Sequence, residues 1–342
     1  MVKSKNILKQ RVYAAFEGGE GSNTLPELCL NLLSEQKKSW QGLREGYEAL
    51  ETVRERNLSC GGFSVRIQHN PGRIRSSLAG GGQHPGTRRL CFLCTERLPD
   101  VQKGVLYRGN YLILCNPMPV FPSHFIVSHS AHHPQSIQKY TDTLLHLIGD
   151  FGPGWAVLYN GPRCGASAPD HLHFQIVPSG RMPVEKEIFD EKKLALITRG
   201  EGVLFYLLRD LGRTAVFMEG SDPVRVAKGF KDLLDALKKV LSIDEEPMIN
   251  LAAYYAERKW RLLVFPRRKH RPDAFFREGN RRFVVSPGAI DMAGVLVTPL
   301  EKDFDRLDAG TVRGIYGEVS LEGETVQRAI EAMGYLKSFL PP

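Results

Sequence analysis

The most chemically informative stretch of the sequence is residues 170–175, in which His171, His173 and Gln175 alternate. Alternation is typical of a β-strand and places the three side chains on one face. Two imidazoles and a primary amide make a poor hydrophobic core, because each carries donors or acceptors that need partners when buried. Such a face is well suited to handling a phosphorus centre. The alternative is an exposed strand face on which two histidines happen to lie.

The surroundings of this stretch favour a site. Residues 159–167 form a short glycine-bearing loop whose backbone amides could approach an anion closely. Seven of the ten histidines lie between His124 and His173. Histidines scattered over a surface would be spread more evenly, so their crowding indicates a functional region.

The composition is that of a globular protein with an anionic partner. The chain has 342 residues, 42% hydrophobic and 25% charged, which is enough for two ordinary domains. We find neither an apolar run of about 20 residues nor an apolar region after the basic start of the chain, and we expect a cytoplasmic protein that does not enter a membrane. The net charge of +8 suits a phosphate-rich ligand.

A small phosphorylated molecule is favoured over nucleic acid. The densest basic run, residues 267–271, is short, and neither a recognition-helix pattern nor aromatic residues interleaved with basic ones accompany it. The run could bind phosphate or could be a solvated basic turn. We therefore expect a nucleotide or nucleotide-sugar substrate and consider nucleic acid an unlikely partner.

The close pair Cys91 and Cys94 has the spacing of a zinc knuckle. Tetrahedral zinc takes two such thiolates together with two imidazoles. A thioredoxin-like redox pair fits less well, because the following residues leave little room for a helix, and a coincidental pair is the other alternative. Six cysteines in a chain of this length do not indicate a disulfide framework. The candidates for the remaining ligands are His124, His129, His132, His133 and His171.

Hydrophobic periodicity supplies the elements that would position these residues. A capping box at residues 24–27 predicts a helix that continues or restarts as far as residue 56. Glycines 80–82 predict a flexible link, and residues 105–107 and 111–114 predict a hairpin. Further strands are predicted at 63–67, 125–127, 155–159, 172–177, 249–255 and 261–265, and further helices at 137–148, 224–241 and 325–340.

We interpret the last third of the chain as a repeat of the order of the middle third. Residues 264–270 occupy the place of residues 126–132, and residues 291–299 align with residues 170–178, matching aspartate to aspartate and proline to proline. In this register Gly294 replaces His173. The second copy would therefore carry no chemistry.

With these motifs the chain resembles the histidine triad superfamily, in particular the branch containing galactose-1-phosphate uridylyltransferase, diadenosine tetraphosphate phosphorylase and the GDP-hexose phosphorylases. The resemblance covers roughly residues 63–300 and is strongest over 88–186. Uridylyltransferases share the cysteine knuckle and an asparagine before the first histidine, here Asn160.

The resemblance implies an α+β fold with two histidine-triad-like antiparallel-sheet halves, the second degenerate. We expect an N-terminal helical region with a strand arm (1–85), a catalytic half (86–200) and a degenerate half (201–342).

The family pattern also implies roles for individual residues. A structural zinc ion would be held by Cys91, Cys94, His132 and His171, with His132 preferred to His129 or His133 because it matches the family's histidine after a strand. His173 would be the nucleophile. Gln175 stands where transferases and phosphorylases have glutamine and hydrolases have histidine.

The expected activity is nucleotidyl transfer or phosphorolysis through a nucleotidyl-histidine. The substrate would be an NDP-hexose or a dinucleoside polyphosphate, and phosphate or a sugar phosphate would be the acceptor. A histidine triad hydrolase and a non-catalytic nucleotide-binding module are the alternatives, and a homodimer is compatible with the sequence. Leu172 departs from the proline of uridylyltransferases, and the glycine loop is offset by one residue from that of the diadenosine tetraphosphate phosphorylases. The expected substrate-binding residues are Arg73, Arg75, Asn160, Ser167 and Lys186.

Overall fold

The computed structural model describes residues 2–19, 24–78 and 91–337. The glycines at 80–82 and the predicted helical residues 338–340 lie outside the described residues. None of the helices in these ranges combines the length and the apolar character needed to cross a membrane.

Eleven α-helices and fifteen strands lie in the described ranges. The helices are α1 (Val2–Arg11), α2 (Leu25–Ser39), α3 (Gln41–Glu51), α4 (Ile74–Leu78), α5 (Thr141–Phe151), α6 (Val184–Glu187), α7 (Pro223–Leu241), α8 (Ala289–Met292), α9 (Glu301–Arg306), α10 (Ala309–Val319) and α11 (Gly323–Ala332). The strands are β1 (Val12–Phe16), β2 (Arg54–Ser59), β3 (Ser64–His69), β4 (Gly104–Tyr107), β5 (Tyr111–Cys115), β6 (Phe125–His129), β7 (Trp155–Asn160), β8 (His173–Pro178), β9 (Leu194–Gly200), β10 (Val203–Leu208), β11 (Val216–Gly220), β12 (Ile249–Ala256), β13 (Lys259–Pro266), β14 (Val295–Thr298) and β15 (Leu336–Lys337).

The first predicted helix begins at the capping box. The backbone N–H of Thr24 donates to the Glu27 carboxylate at 2.7 Å, and the N–H of Glu27 donates back to the Thr24 hydroxyl at 3.4 Å. These bonds satisfy donors that the first helical turn leaves free. The helix α2 buries Leu25 and Leu32 and ends before Trp40, where α3 begins. The junction of α2 and α3 thereby fixes the position of Trp40.

A twelve-stranded sheet forms the centre of the molecule, in the order β1-β4-β5-β6-β8-β7-β12-β13-β11-β10-β9-β15. Only the β1–β4 pair within it is parallel among the described strands. One face packs on α2, α5, α7 and α11, and the other packs on a second sheet, β14-β3-β2, with α8 to α10. Phe174 and Ile176 of β8 belong to the first core and Val177 to the second. His173 and Gln175 therefore face the side of β14 and α8. The predicted mixed α+β fold with antiparallel sheets is confirmed.

The sequence repeat is not confirmed in the register that we predicted. The stretch 291–299 contains β14, which pairs in parallel with β3 in the smaller sheet and does not occupy the position of β8. Instead, β13 lies beside β11 as β8 lies beside β6. A short apolar run bounded by an aspartate and a proline does not specify its pairing partner, so the sequence match was misleading.

Three predicted helices have different bounds in the structure. The first predicted helical stretch, expected to reach residue 56, ends at Glu51 with α3, and residues 54–56 belong to β2 because they pair with β3. The helix α5 begins four residues after the predicted start at residue 137, because a 3-10 turn over Gln138–Tyr140 precedes it. The helix α11 ends at Ala332, since Gly334 adopts a φ of 72°, and β15 follows. The predicted boundary between residues 200 and 201 lies in the β9–β10 hairpin, and the division into three regions stays a prediction.

Candidate active site

A cavity of about 550 Å³ lies where β7 ends and β8 begins. Its wall includes five of the residues that the sequence singled out, together with Trp40, Phe92 and side chains from α8. The five are Arg73, Asn160, Ser167, His173 and Gln175. The structure thus brings the predicted catalytic pair and three predicted substrate-binding residues to one place.

His173 is held in one tautomer. Its Nδ1 lies 2.8 Å from the backbone carbonyl oxygen of His171, and because that oxygen can only accept, Nδ1 carries the hydrogen. The Nε2 atom therefore keeps its lone pair. Burial lowers the pKa of His173 to about 4, so the ring is neutral near pH 7. A neutral imidazole with a free Nε2 is a competent nucleophile.

Gln175 is oriented by a histidine that the sequence had offered as a metal ligand. The backbone N–H of Val120 donates to His124 Nδ1 at 3.2 Å, so the hydrogen of this ring is on Nε2. His124 Nε2 then donates to Gln175 Oε1 at 2.8 Å. Since the oxygen of the amide is engaged, the NH₂ group of Gln175 is the part left for the cavity. His124 is therefore not placed with Cys91 and Cys94, and its role in the structure is to orient the amide of Gln175.

Asn160 is oriented in a similar way. Its Oδ1 accepts from Asn250 Nδ2 and from the backbone N–H of Ala289, each at 2.7 Å. This leaves its NH₂ group as the free donor of a residue that lines the cavity. Both partners come from the last third of the chain, and the sequence contained no periodic signal that would have identified them.

The remaining predicted binding residues differ in placement. Arg73 is held at the cavity by a bond from Nη1 to the carbonyl of Met118 at 2.8 Å, and burial lowers its pKa. Ser167 is exposed at the cavity wall. The side chain of Arg75 lies outside the described residues. Lys186 is not brought to the site, because α6 buries Val184 and Glu185 and leaves the lysine facing solvent.

Beside the cavity, Cys91, Cys94, His132 and His171 present four ligand atoms within 4.8 Å of one another. Sγ of Cys91 is 3.2 Å from Nδ1 of His171, and Sγ of Cys94 is 3.2 Å from Nδ1 of His132. Two thiols and two imidazoles converging in this way match a tetrahedral metal site. The cluster could bind a metal ion.

The outer nitrogen of His171 has a hydrogen-bond acceptor, and that of His132 lies near a carboxylate. Nε2 of His171 donates to the carbonyl of His129 at 2.7 Å, which leaves its Nδ1 free to ligate. Nε2 of His132 is 3.6 Å from the Asp170 carboxylate. Such partners orient metal-binding histidines. Of the three candidates for the third ligand, the structure places His132 in the cluster, whereas His129 and His133 pack against each other.

The basic run 267–271 is not a fully solvated turn, because Arg267 and Arg271 are buried. Arg267 is 2% exposed and donates to Asn250 Oδ1 and to the carbonyl of Pro287. Arg268 donates to the carbonyls at the end of α10. Within this run only His270 lines the cavity. The basic side chains therefore stabilise the loops that surround the site.

Comparisons with known proteins agree with this architecture. A family model described as a domain of unknown function (DUF4922) matches residues 32–178. No curated protein sequence is similar enough to the chain to count as a match.

Solved structures with a related fold include yeast Ap4A phosphorylase Apa2. That structure is 15% identical, with a TM-score of 0.50 over 82% of this chain and 94% of that one. Its complex with Ap4A is 16% identical, with a TM-score of 0.52 over 85% and 97%. A DUF4931 family protein from Bacillus cereus is 14% identical, with a TM-score of 0.35 over 46% and 82%. The likeness to the yeast enzyme shows that this chain shares its fold.

Proposed function

We propose that the protein is a nucleotidyltransferase or phosphorylase that acts through a nucleotidyl-histidine at His173. The observation that carries the proposal is the bond from His173 Nδ1 to the carbonyl of His171, which leaves Nε2 as the free nitrogen of a cavity residue. A buried, neutral imidazole in this tautomer can attack phosphorus without first losing a proton.

In the first step, Nε2 attacks the α-phosphorus of the substrate. An N–P bond forms, the P–O bond to the leaving group breaks, and the leaving group departs with the electron pair as a phosphate oxyanion. The NH₂ groups of Gln175 and Asn160 can donate to the phosphoryl oxygens, and the guanidinium of Arg73 offsets their charge. These groups stabilise charge where it develops.

In the second step, an oxygen of the acceptor attacks the same phosphorus, and the N–P bond breaks to regenerate neutral His173. The amide of Gln175 does not titrate near neutral pH, so it cannot remove a proton from water. An acceptor that is already an oxyanion, such as phosphate or a sugar phosphate, needs no such base. The site therefore favours phosphorolysis or transfer over hydrolysis.

A dinucleoside polyphosphate or an NDP-hexose is the proposed substrate. The yeast enzyme with the same fold is an Ap4A phosphorylase solved with Ap4A, which supports the first class. The cavity of about 550 Å³ also has an apolar part, containing Trp40, Phe92 and Leu93, that suits a nucleobase.

We also propose that the cysteine and histidine cluster holds a structural zinc ion. Cys91, Cys94, His132 and His171 would complete its four-coordinate shell and leave no position for substrate. The carbonyl of His171 accepts the Nδ1 hydrogen of His173. Fixing His171 would therefore fix the acceptor that selects the tautomer of the nucleophile.

A substrate panel tests the function directly. GDP-sugars, UDP-sugars and Ap4A are incubated with the protein without an acceptor, with phosphate and with a sugar phosphate, and the products are separated by chromatography. Release of nucleoside diphosphate with phosphate, or transfer of the nucleotide to the sugar phosphate, is the expected result. Release of nucleoside monophosphate in water would indicate a hydrolase, and binding without turnover would indicate a nucleotide-binding module; either result would overturn the proposal.

A further inference from the structure

We infer that Gln135 is a positioning residue for the nucleophile, an assignment that rests on the proposed function. Gln135 lies between β6 and α5, in the segment that also contains His132, and its side chain is 2% exposed. No pattern in the sequence marked it. Its amide contacts the backbone of His173 and of Asn160, the first residue of β8 and the last residue of β7.

The amide of Gln135 makes three hydrogen bonds in this position. Oε1 accepts from the backbone N–H of His173 at 2.8 Å. Nε2 donates to the carbonyl of His173 at 3.0 Å and to the carbonyl of Asn160 at 2.9 Å. Both backbone groups of the nucleophile are thus bonded to one side chain.

These bonds replace a rung of the β-ladder. The pairing of β7 with β8 ends at Leu158 and Gln175, and in that register the next bonded pair would be Asn160 and His173. The Gln135 amide supplies a donor and an acceptor in place of the missing strand partner. The two strands can therefore separate where the cavity opens, while no backbone group of His173 is left without a bond.

The consequence is that His173 is fixed from two directions. Gln135 holds its backbone, and the carbonyl of His171 holds Nδ1 of its ring. Because a displacement of about 1 Å can slow a reaction about a hundredfold, the position of this backbone bears directly on the rate of attack. Gln135 acts through His173 and touches no reacting atom in this scheme.

The chain offers a matched control in Gln36, which is 4% exposed. Its Nε2 donates to the carbonyl of Val101 at 2.9 Å, and its Oε1 accepts from the N–H of Lys103 at 2.8 Å. It is thus a buried amide clamp on the backbone of residues 101 and 103, in a different segment of the chain from His173. Gln135→Met and Gln36→Met each remove one such clamp with little change in volume, so thermal melting gives the structural cost of each.

Two measurements distinguish positioning from a general loss of stability. Amide hydrogen exchange on the free protein should show exchange at His173 at least about tenfold faster in Gln135→Met and unchanged in Gln36→Met. With the substrate found by the panel, single-turnover labelling of His173 should be about 10- to 100-fold slower in Gln135→Met, with KM nearly unchanged, and should stay within about twofold in Gln36→Met.

The outcomes separate this inference from the proposed function. If the wild type is labelled on His173 and Gln135→Met is labelled as fast, the positioning role is overturned and the function stands. Unchanged protection of the His173 amide in Gln135→Met also overturns it. If no residue of the wild type becomes labelled, the function fails, and the role of Gln135 in positioning a nucleophile fails with it.

Discussion

The large sheet contains two groups of five strands that share one order but differ at one connection. Inward from the edge strand β1 the first group is β4-β5-β6-β8-β7, and inward from the edge strand β15 the second group is β9-β10-β11-β13-β12. Residues 161–172 join β7 to β8 and contain the glycine loop, Asp170 and His171. Glu257 and Arg258, with φ values of 53° and 60°, form the whole connection between β12 and β13. The difference shows that the connection, and not the strand scaffold, provides room for the site.

The second group supports the site of the first. Because β7 and β12 are antiparallel neighbours, the end of β7 lies beside the start of β12, where Asn160 pairs with Asn250. The tight β12–β13 turn lies at the opposite end of the sheet. Arg267, buried at the end of β13, donates to Asn250, which donates to Asn160. The first group thus carries the proposed nucleophile His173, and the second group provides the contacts that orient Asn160.

The sharpest test of this division compares the first residues of β8 and β13. His173→Ala removes the nucleophile and should lower the rate of substrate turnover by about 10⁴-fold or more. Lys259→Ala removes a half-exposed side chain that pairs with Glu219, and it should leave the rate within about twofold. Steady-state kinetics and mass-spectrometric mapping of labelled protein measure both effects. A His173→Ala protein with full turnover, or a label on another residue, would contradict the assignment.

Removal of a metal ligand tests the connection itself. Cys94→Ser should lower the zinc content from about one ion per chain and reduce the rate about 10- to 100-fold, because the segment that carries His171 loses its anchor. Cys29→Ala, which alters a buried thiol of α2, should keep the zinc. Elemental analysis and melting with and without a chelator provide the measurements. Wild-type protein that contains negligible zinc, with a melting temperature unaffected by chelation, would exclude the structural ion.

Local patterns predicted eight of the fifteen described strands and five of the residues that line the cavity. The capping box of α2, the β4–β5 hairpin and the strands β7, β8, β12 and β13 are confirmed, since periodicity and turn residues act over a few positions. The cluster of Cys91, Cys94, His132 and His171 could be anticipated, because two cysteines three positions apart with histidines nearby in the sequence have few other structural roles.

The contacts that orient these residues could not be predicted. Gln135, Asn250 and the role of His124 depend on which strands lie side by side, and one sequence does not determine strand pairing. The failed alignment of residues 291–299 has the same cause, because β14 is a short apolar run typical of a strand but pairs in another sheet. Lys186, which we predicted as a substrate-binding residue, faces solvent because the turn of α6 directs it outward.

A smaller effect is expected from the residue that orients Gln175. His124→Phe removes the donor to Gln175 Oε1 and the acceptor of the Val120 N–H. The amide of Gln175 can then rotate, so the rate should fall about tenfold, and one unsatisfied N–H should lower the free energy of unfolding by about 1–3 kcal/mol. His146→Phe, on the exposed side of α5, is the control and should change neither value appreciably. Full activity in His124→Phe would show that another contact sets the amide.

The smallest effect concerns Asp291, which we had aligned with Asp170 and which instead lines the cavity from α8. Burial raises its pKa from 3.8 to about 6, although the N–H groups of Val297 and Gly288 and the charge of Arg73 oppose the rise. The neutral carboxyl is thus favoured in the folded state. Its contribution to stability is fully present below about pH 4 and is lost as the pH rises to about 6.

Asp291→Asn separates this titration from the fixed contacts of the residue. The amide keeps one acceptor but loses the second, which lowers stability equally at every pH, and it cannot ionise. The free energy of unfolding of the wild type, measured with urea relative to that of Asp291→Asn, should therefore fall by about 3 kcal/mol between pH 4 and pH 6 and stay level above that range. A constant difference between the two proteins over this range would show that Asp291 is ionised throughout. In that case Asp291 would keep a negative charge in the cavity even at about pH 4, and the proposed binding of phosphate by Arg73 would have to overcome it at every pH.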